Sequence, residues 1–94
     1  MSNIFASLRL YPGKWTVKNS RKFSQEEIDA VASAYVVDSQ FGSSVCFMMK
    51  SGGTSFIPLS NTSSLNIGDE VVLSNATLLT LGREGEADIY RVEA

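Results

Sequence analysis

Apolar and polar positions alternate with a period of two in the best-patterned stretches of this chain, which is the spacing of half-buried strands. In NIFASLRLY, Ile4, Ala6, Leu8 and Leu10 fall on one side, with Phe5, Ser7, Arg9 and Tyr11 on the other, so residues 3–11 are predicted to form a strand. Pro12-Gly13 supplies a turn and KWTVK, residues 14–18, a second short strand. The pattern changes at SRKFSQEEIDAV. Ser24 followed three residues later by Glu27 matches a capping box, and a short helix is expected over residues 25–31. It stays short because the β-prone AYVVDS follows it.

The rest of the chain reads as strands and turns. AYVV is a strand, DSQFGSS a turn, VCFMMK a strand, SGG a turn and TSFIPLS a strand. NTSSLNIGD is a loop, EVVLSNATLLTLG a long strand bent near Ser74-Asn75, REGE a turn, and ADIYRVE the closing strand. Strands of this number and spacing suggest a small barrel or sandwich.

One hairpin can be resolved by face. Val45, Phe47 and Met49 share one side of VCFMMK, and Ile57 and Leu59 one side of TSFIPLS. Pairing Val45 and Phe47 with Ile57 and Leu59 predicts a three-residue loop, Ser51-Gly52-Gly53. Met48, Lys50, Thr54 and Phe56 then point the other way. Pro58 has no N–H to donate, so this strand should lie at an edge or be interrupted there.

Composition narrows the chemistry. The chain has 94 residues, one cysteine and no histidine. That length makes one domain, and no apolar run reaches the roughly 18 residues of a membrane span. Nor does MSNIFASLRL pattern as a signal peptide. A lone Cys46 in SVCFMMK reads as a buried small hydrophobe, and it cannot build a zinc site without histidine or further cysteines. Without histidine, Ser and Cys nucleophiles lack their usual base. Glu26, Glu27 and Asp29 lie at a helix start, and Glu84, Glu86 and Asp88 in a turn. Neither group patterns as a catalytic carboxylate pair. No enzyme activity, metal or cofactor is expected.

Charge is distributed unevenly around a formal net of −2. Residues 1–22 carry Arg9, Lys14, Lys18, Arg21 and Lys22 and no acid, whereas Asp69, Glu70, Glu84, Glu86, Asp88 and Glu93 outnumber Arg83 and Arg91 beyond residue 51. The basic stretch is laced with Tyr11, Trp15 and Phe23. Cations for phosphates interleaved with aromatics for bases is the pattern of single-strand binding surfaces.

The middle of the chain, KFSQEEIDAVASAYVVDSQFGSSVCFMMKSGGTSFIPLS, with LNIGDEVVL and DIYRVE after it, resembles small single-stranded DNA-binding proteins of the OB-fold type. These are the ones carried by bacteriophages and mobile elements. The resemblance covers residues 23–94 and is one of strands and turns. It implies a mainly β fold: an OB-like five-stranded barrel over residues 23–94 with one short helix. Residues 1–22 would add an extra N-terminal strand pair to make a single domain of 1–94. It also implies sequence-tolerant binding of single-stranded nucleic acid, DNA favoured, in a bacterial or phage-infected cytoplasm. The resemblance does not say which positions bind; on the basic-aromatic pattern of the residues themselves, Arg9, Lys14, Lys18, Arg21, Lys22 and Lys50 would meet phosphates, and Tyr11, Trp15, Phe41 and Phe56 would stack on bases. A pI of about 4.9 departs from what phosphate binding favours. The competing expectation is a small β-barrel that docks on protein or self-associates as a homodimer or higher homo-oligomer, its bipolar charge providing complementary faces.

Overall fold

A computed structural model of the chain describes residues 15–40, 42–60 and 63–94. The predicted strand at 3–11, the Pro12-Gly13 turn, and Arg9, Tyr11, Lys14 and Phe41 lie outside the described residues. What is described is a small, mainly β domain of two three-stranded antiparallel sheets and one short helix.

The helix, α1, spans Gln25–Ala30. Its capping box is complete. The Ser24 hydroxyl accepts from the Glu27 amide at 3.1 Å, and the Ser24 amide donates to Glu27 Oε1 at 2.8 Å. Six residues are too few to be stable alone, so the helix depends on this cap and on Ile28, which packs against the core. It stops one residue before the expected end, because β-branched Val31 is already extended (φ −98°, ψ 125°) and opens a strand.

The first sheet contains β2 (Val31–Ser39), β3 (Gly42–Met49) and β4 (Thr54–Pro58), in that order. Its inner face carries Ala34 beside Phe47, and Val36 beside Val45 beside Ile57. Val36 and Val45 are wholly buried. The expected turn at 38–44 is tighter than its polar composition suggests. Asp38 pairs with Ser43 and Ser39 with Gly42, whose φ of 93° suits glycine. The Ser39 hydroxyl donates to the Gly42 carbonyl at 2.9 Å, so these polar residues serve the ladder end.

The β3–β4 register needs one correction. Val45 stands opposite Ile57 rather than Leu59, and the ladder closes at Met48–Thr54 instead of at the three-residue loop. The Met49 amide donates to the Gly53 carbonyl at 2.8 Å inside a wider turn. The slip is two residues, so every side chain keeps its predicted face. Leu59 continues this register, its amide donating to the Ser43 carbonyl at 3.0 Å, and also makes a parallel bridge to Val92 in the second sheet.

That second sheet orders β1 (Thr16–Lys22), β5 (Thr77–Gly82) and β6 (Ile89–Glu93). The expected strand at 14–18 thus runs further, through a polar stretch with no alternation. As an edge strand exposed at every position, β1 needs none. Its register slips between Val17 and Asn19, leaving Lys18 unpaired in a bulge.

The long strand expected over 70–82 is broken where its bend was placed. A 3₁₀ turn at Leu73–Asn75 separates two halves. Residues 68–71 lie along β2: the Val36 amide donates to Asp69, the Gly68 amide to Val36, and the Val71 amide to Ala34, each within 2.9 Å. The second half is β5. The core gathers at this junction, with Val71, Leu73, Ala76, Leu59 and Val92 joining Val36, Val45 and Phe47. Among the described residues the sheets meet at isolated bridges and do not form one closed barrel. Of the expected N-terminal strand pair, only β1 falls among the described residues.

Removing the cap with Ser24→Ala should lower unfolding free energy by about 1 kcal/mol in urea titrations. The Arg21 guanidinium, helped by the Ser24 amide, holds the Glu27 carboxyl at about 2, against an ordinary value of 4.5. Between those values the unfolded chain binds the proton more readily. Glu27's contribution is therefore complete above pH 4.5 and fades as pH falls toward 2. Glu27→Gln should flatten the acid limb of a stability-versus-pH curve in that window.

Candidate nucleic-acid interface

Because Ala34, Val36, Val45 and Phe47 face inward, the residues between them face out. The ladder aligns Tyr35, Cys46 and Phe56 in one row across β2, β3 and β4, and Ser33, Met48 and Thr54 in the next. Strands lie roughly 4.8 Å apart, so the backbones of Tyr35 and Phe56 are about 10 Å apart across Cys46. Phe56 is 60% exposed and Met48 42%. Cys46 is buried, as its sequence context suggested, although it belongs to the outer face. The Tyr35 hydroxyl reaches Met48 Sδ at 3.6 Å, and Cys46 beside it pushes the phenol pKa up. Lys50 is exposed in the turn that ends this hairpin, immediately beyond the Met48 row.

The cations on β1 are differently placed. Lys18 Nζ donates to both Asp88 oxygens at 3.0 and 3.1 Å. To get there its aliphatic stem crosses Gly82, where an added Cβ would collide with it. Arg21 grips Glu27 through two bonds of 2.7 and 3.0 Å. Lys22 is exposed at the end of the strand. Trp15 is only partly exposed, with the Arg83 guanidinium 5.9 Å from its ring centre. Its indole N–H is buried with no hydrogen-bond partner among the described residues.

The structure therefore splits the predicted site. Phe56 and Lys50 belong to one hairpin of the first sheet, whereas Lys18, Arg21 and Lys22 line the edge strand of the second. Two side chains absent from the predicted site belong beside Phe56: Tyr35 and Met48. The alternation that puts Ala34 and Val36 inside was enough to turn Tyr35 outward. What AYVVDS does not reveal is that its strand lies two places from Phe56 in the sheet.

A groove of about 700 Å³ opens on the opposite, inner side of the first sheet. Phe23, Val31, Phe47 and Ile57 line it, with Arg21 and Glu27 at its polar edge. No group of three or more potential metal ligands occurs among the described residues. Nor is any described helix long and apolar enough to cross a membrane. Comparison with family models, curated proteins and solved structures returns no match to this chain.

The face assignment has a direct check. Phe56→Ala should cost under about 1 kcal/mol of stability, since little of that ring leaves water on folding. Phe47→Ala, which empties a core position, should cost about 3–5 kcal/mol in the same urea titration.

Proposed function

We propose that this protein binds single-stranded nucleic acid, DNA in the first instance, on the outer face of β2, β3 and β4. The observation that carries the reading is the row Tyr35–Cys46–Phe56, two aromatics presented from one sheet with Met48 beside them. Aromatic side chains on a sheet offer π-faces that any base can use, which suits sequence-tolerant binding.

The strand connections support an OB-like architecture for the reading. Followed through its bridges, the chain runs β2–β3–β4, then by the parallel Leu59–Val92 contact to β6, then to β5. The segment leading into β5 returns to β2 at Tyr35–Glu70. A partly open five-stranded barrel of this kind uses the face of its second and third strands for oligonucleotides. Here those strands are β3 and β4, which carry Met48 and Phe56.

A second reading, a module that self-associates or docks on protein, is favoured by one observation: Lys18 and Arg21 are already held by carboxylates. Exposed Met48 and Phe56 would then be contact residues between molecules.

Fluorescence anisotropy of a labelled oligo-dT at 50 mM salt separates the two. Saturable binding is expected, with Phe56→Ala and Tyr35→Ala each weakening it roughly 5- to 150-fold, the range of one lost base stack. Trp15→Phe should leave it within about twofold, because Trp15 lies off this face. Absence of binding, together with a Phe56-dependent dimer in sedimentation, would transfer the function to the second reading.

A further inference from the structure

We infer that Met48 is an oxidation site, converted by peroxide to a sulfoxide that the Tyr35 hydroxyl holds, and that this reversible change weakens single-strand binding on the same face. The last clause rests on the single-strand reading above. The modification site stands on its own observations.

The first of these is access. Met48 and Met49 are consecutive on β3, so they take opposite faces of the sheet. Met49 is partly buried, packs against the core and lines the inner groove, whereas Met48 is 42% exposed on the outer face. A thioether reacts only where peroxide can reach its sulfur. There the sulfur lone pair attacks one peroxide oxygen, a sulfur–oxygen bond forms as the oxygen–oxygen bond breaks, and the second oxygen leaves as water with both protons. Sulfur loses two electrons and the peroxide gains them. The product, a sulfoxide, is polar where the thioether was apolar.

The second observation is the neighbour. Tyr35 pairs with Cys46, and Met48 lies two residues along β3 from Cys46 on the same face. The Tyr35 hydroxyl reaches Met48 Sδ at 3.6 Å. A thioether sulfur is a weak acceptor, and a sulfoxide oxygen is a strong one. An oxygen added to the sulfur on that side comes closer to the hydroxyl than the sulfur itself, within the range of an O–H···O bond. The new dipole thus finds a donor already in place on a face that otherwise shows Phe56 beside it.

Both side chains are changed by this. Met48 no longer offers a soft apolar surface, and Tyr35 is tied to it by a stronger bond. On the single-strand reading these are two of the three large side chains that bases would rest on. A thiol-dependent sulfoxide reductase reverses the step: two thiols become a disulfide and the oxygen leaves as water.

Limited treatment with hydrogen peroxide and fragment-ion mass spectrometry should show Met48 oxidised several times faster than Met49. Equal rates overturn the inference. Oxidation should also lower the urea midpoint less in the wild type than in Tyr35→Phe, since the wild type alone has a donor for the sulfoxide. Equal shifts, or a larger one in the wild type, overturn it too. Met48→Leu treated alike measures, for subtraction, what other oxidised side chains contribute.

Anisotropy with oligo-dT at 50 mM salt then reads the consequence. Oxidised protein should bind about two- to twelvefold more weakly, the range of one sulfur–aromatic contact. Reductase treatment should restore affinity, and Met48→Leu should be insensitive to peroxide. Unchanged affinity after oxidation, or an equal loss in Met48→Leu, overturns control of binding while the single-strand reading survives. If the unoxidised protein does not bind oligo-dT, that reading fails, and the mass-spectrometric and urea results still decide whether the site exists.

Discussion

The two sheets share one stretch of backbone that changes partners halfway along, and their mutual position depends on it. Residues 68–71 hydrogen-bond to β2 in the first sheet, and after the 3₁₀ corner at Leu73–Asn75 the same chain becomes β5, the centre of the second. At the other side, the Ser60 amide donates to the Val92 carbonyl at 2.8 Å, next to the Leu59–Val92 bridge. Between these two seams lie Val36, Val45, Leu73, Ala76 and Val92, with almost no exposed surface. Neither sheet buries its inner face without the other. The domain's small core is therefore a property of the junction rather than of either sheet.

Seen from that core, the uneven charge of the sequence has a structural answer. The basic stretch ends on an exposed edge strand, and two of its cations are tied to acidic residues elsewhere: Lys18 to the β5–β6 turn through Asp88, and Arg21 to the first turn of α1 through Glu27. The second tie shares the capping-box carboxylate, because Glu27 accepts from both Arg21 and the Ser24 amide. Exposed pairs of this kind contribute little energy singly. Their effect is to fix where an otherwise featureless polar strand lies. Of the three described cations of that stretch, two are engaged within the molecule and Lys22 is exposed.

Much of the fold was legible because it rests on local rules. The capping box of Ser24 and Glu27, the bend near Ser74-Asn75 and the inward face of Val45 and Phe47 all follow from residue type and spacing. What stayed hidden is non-local. Nothing within TSFIPLS says that Leu59 bridges to a residue more than thirty positions later, or that the hairpin register sits two residues from the expected one. Likewise Thr16–Lys22 is a strand by virtue of its partner β5, against its own composition. The candidate site divided in the same way. Phe56 and Lys50 could be assigned from one hairpin, but Tyr35 joins them only once β2 is known to flank β3.

Pro58 has a consequence beyond ending a strand. A sheet edge that carries exposed aromatic and sulfur side chains is a ready template for another chain's backbone, and such edges propagate aggregates. Here β4 is only five residues long, its last position lacks an N–H, and the chain is then drawn off toward Val92. The face can remain adhesive while the edge resists recruitment of a foreign strand. On the proposed function, a face that stacks bases is in this way kept from pairing with copies of itself edge to edge.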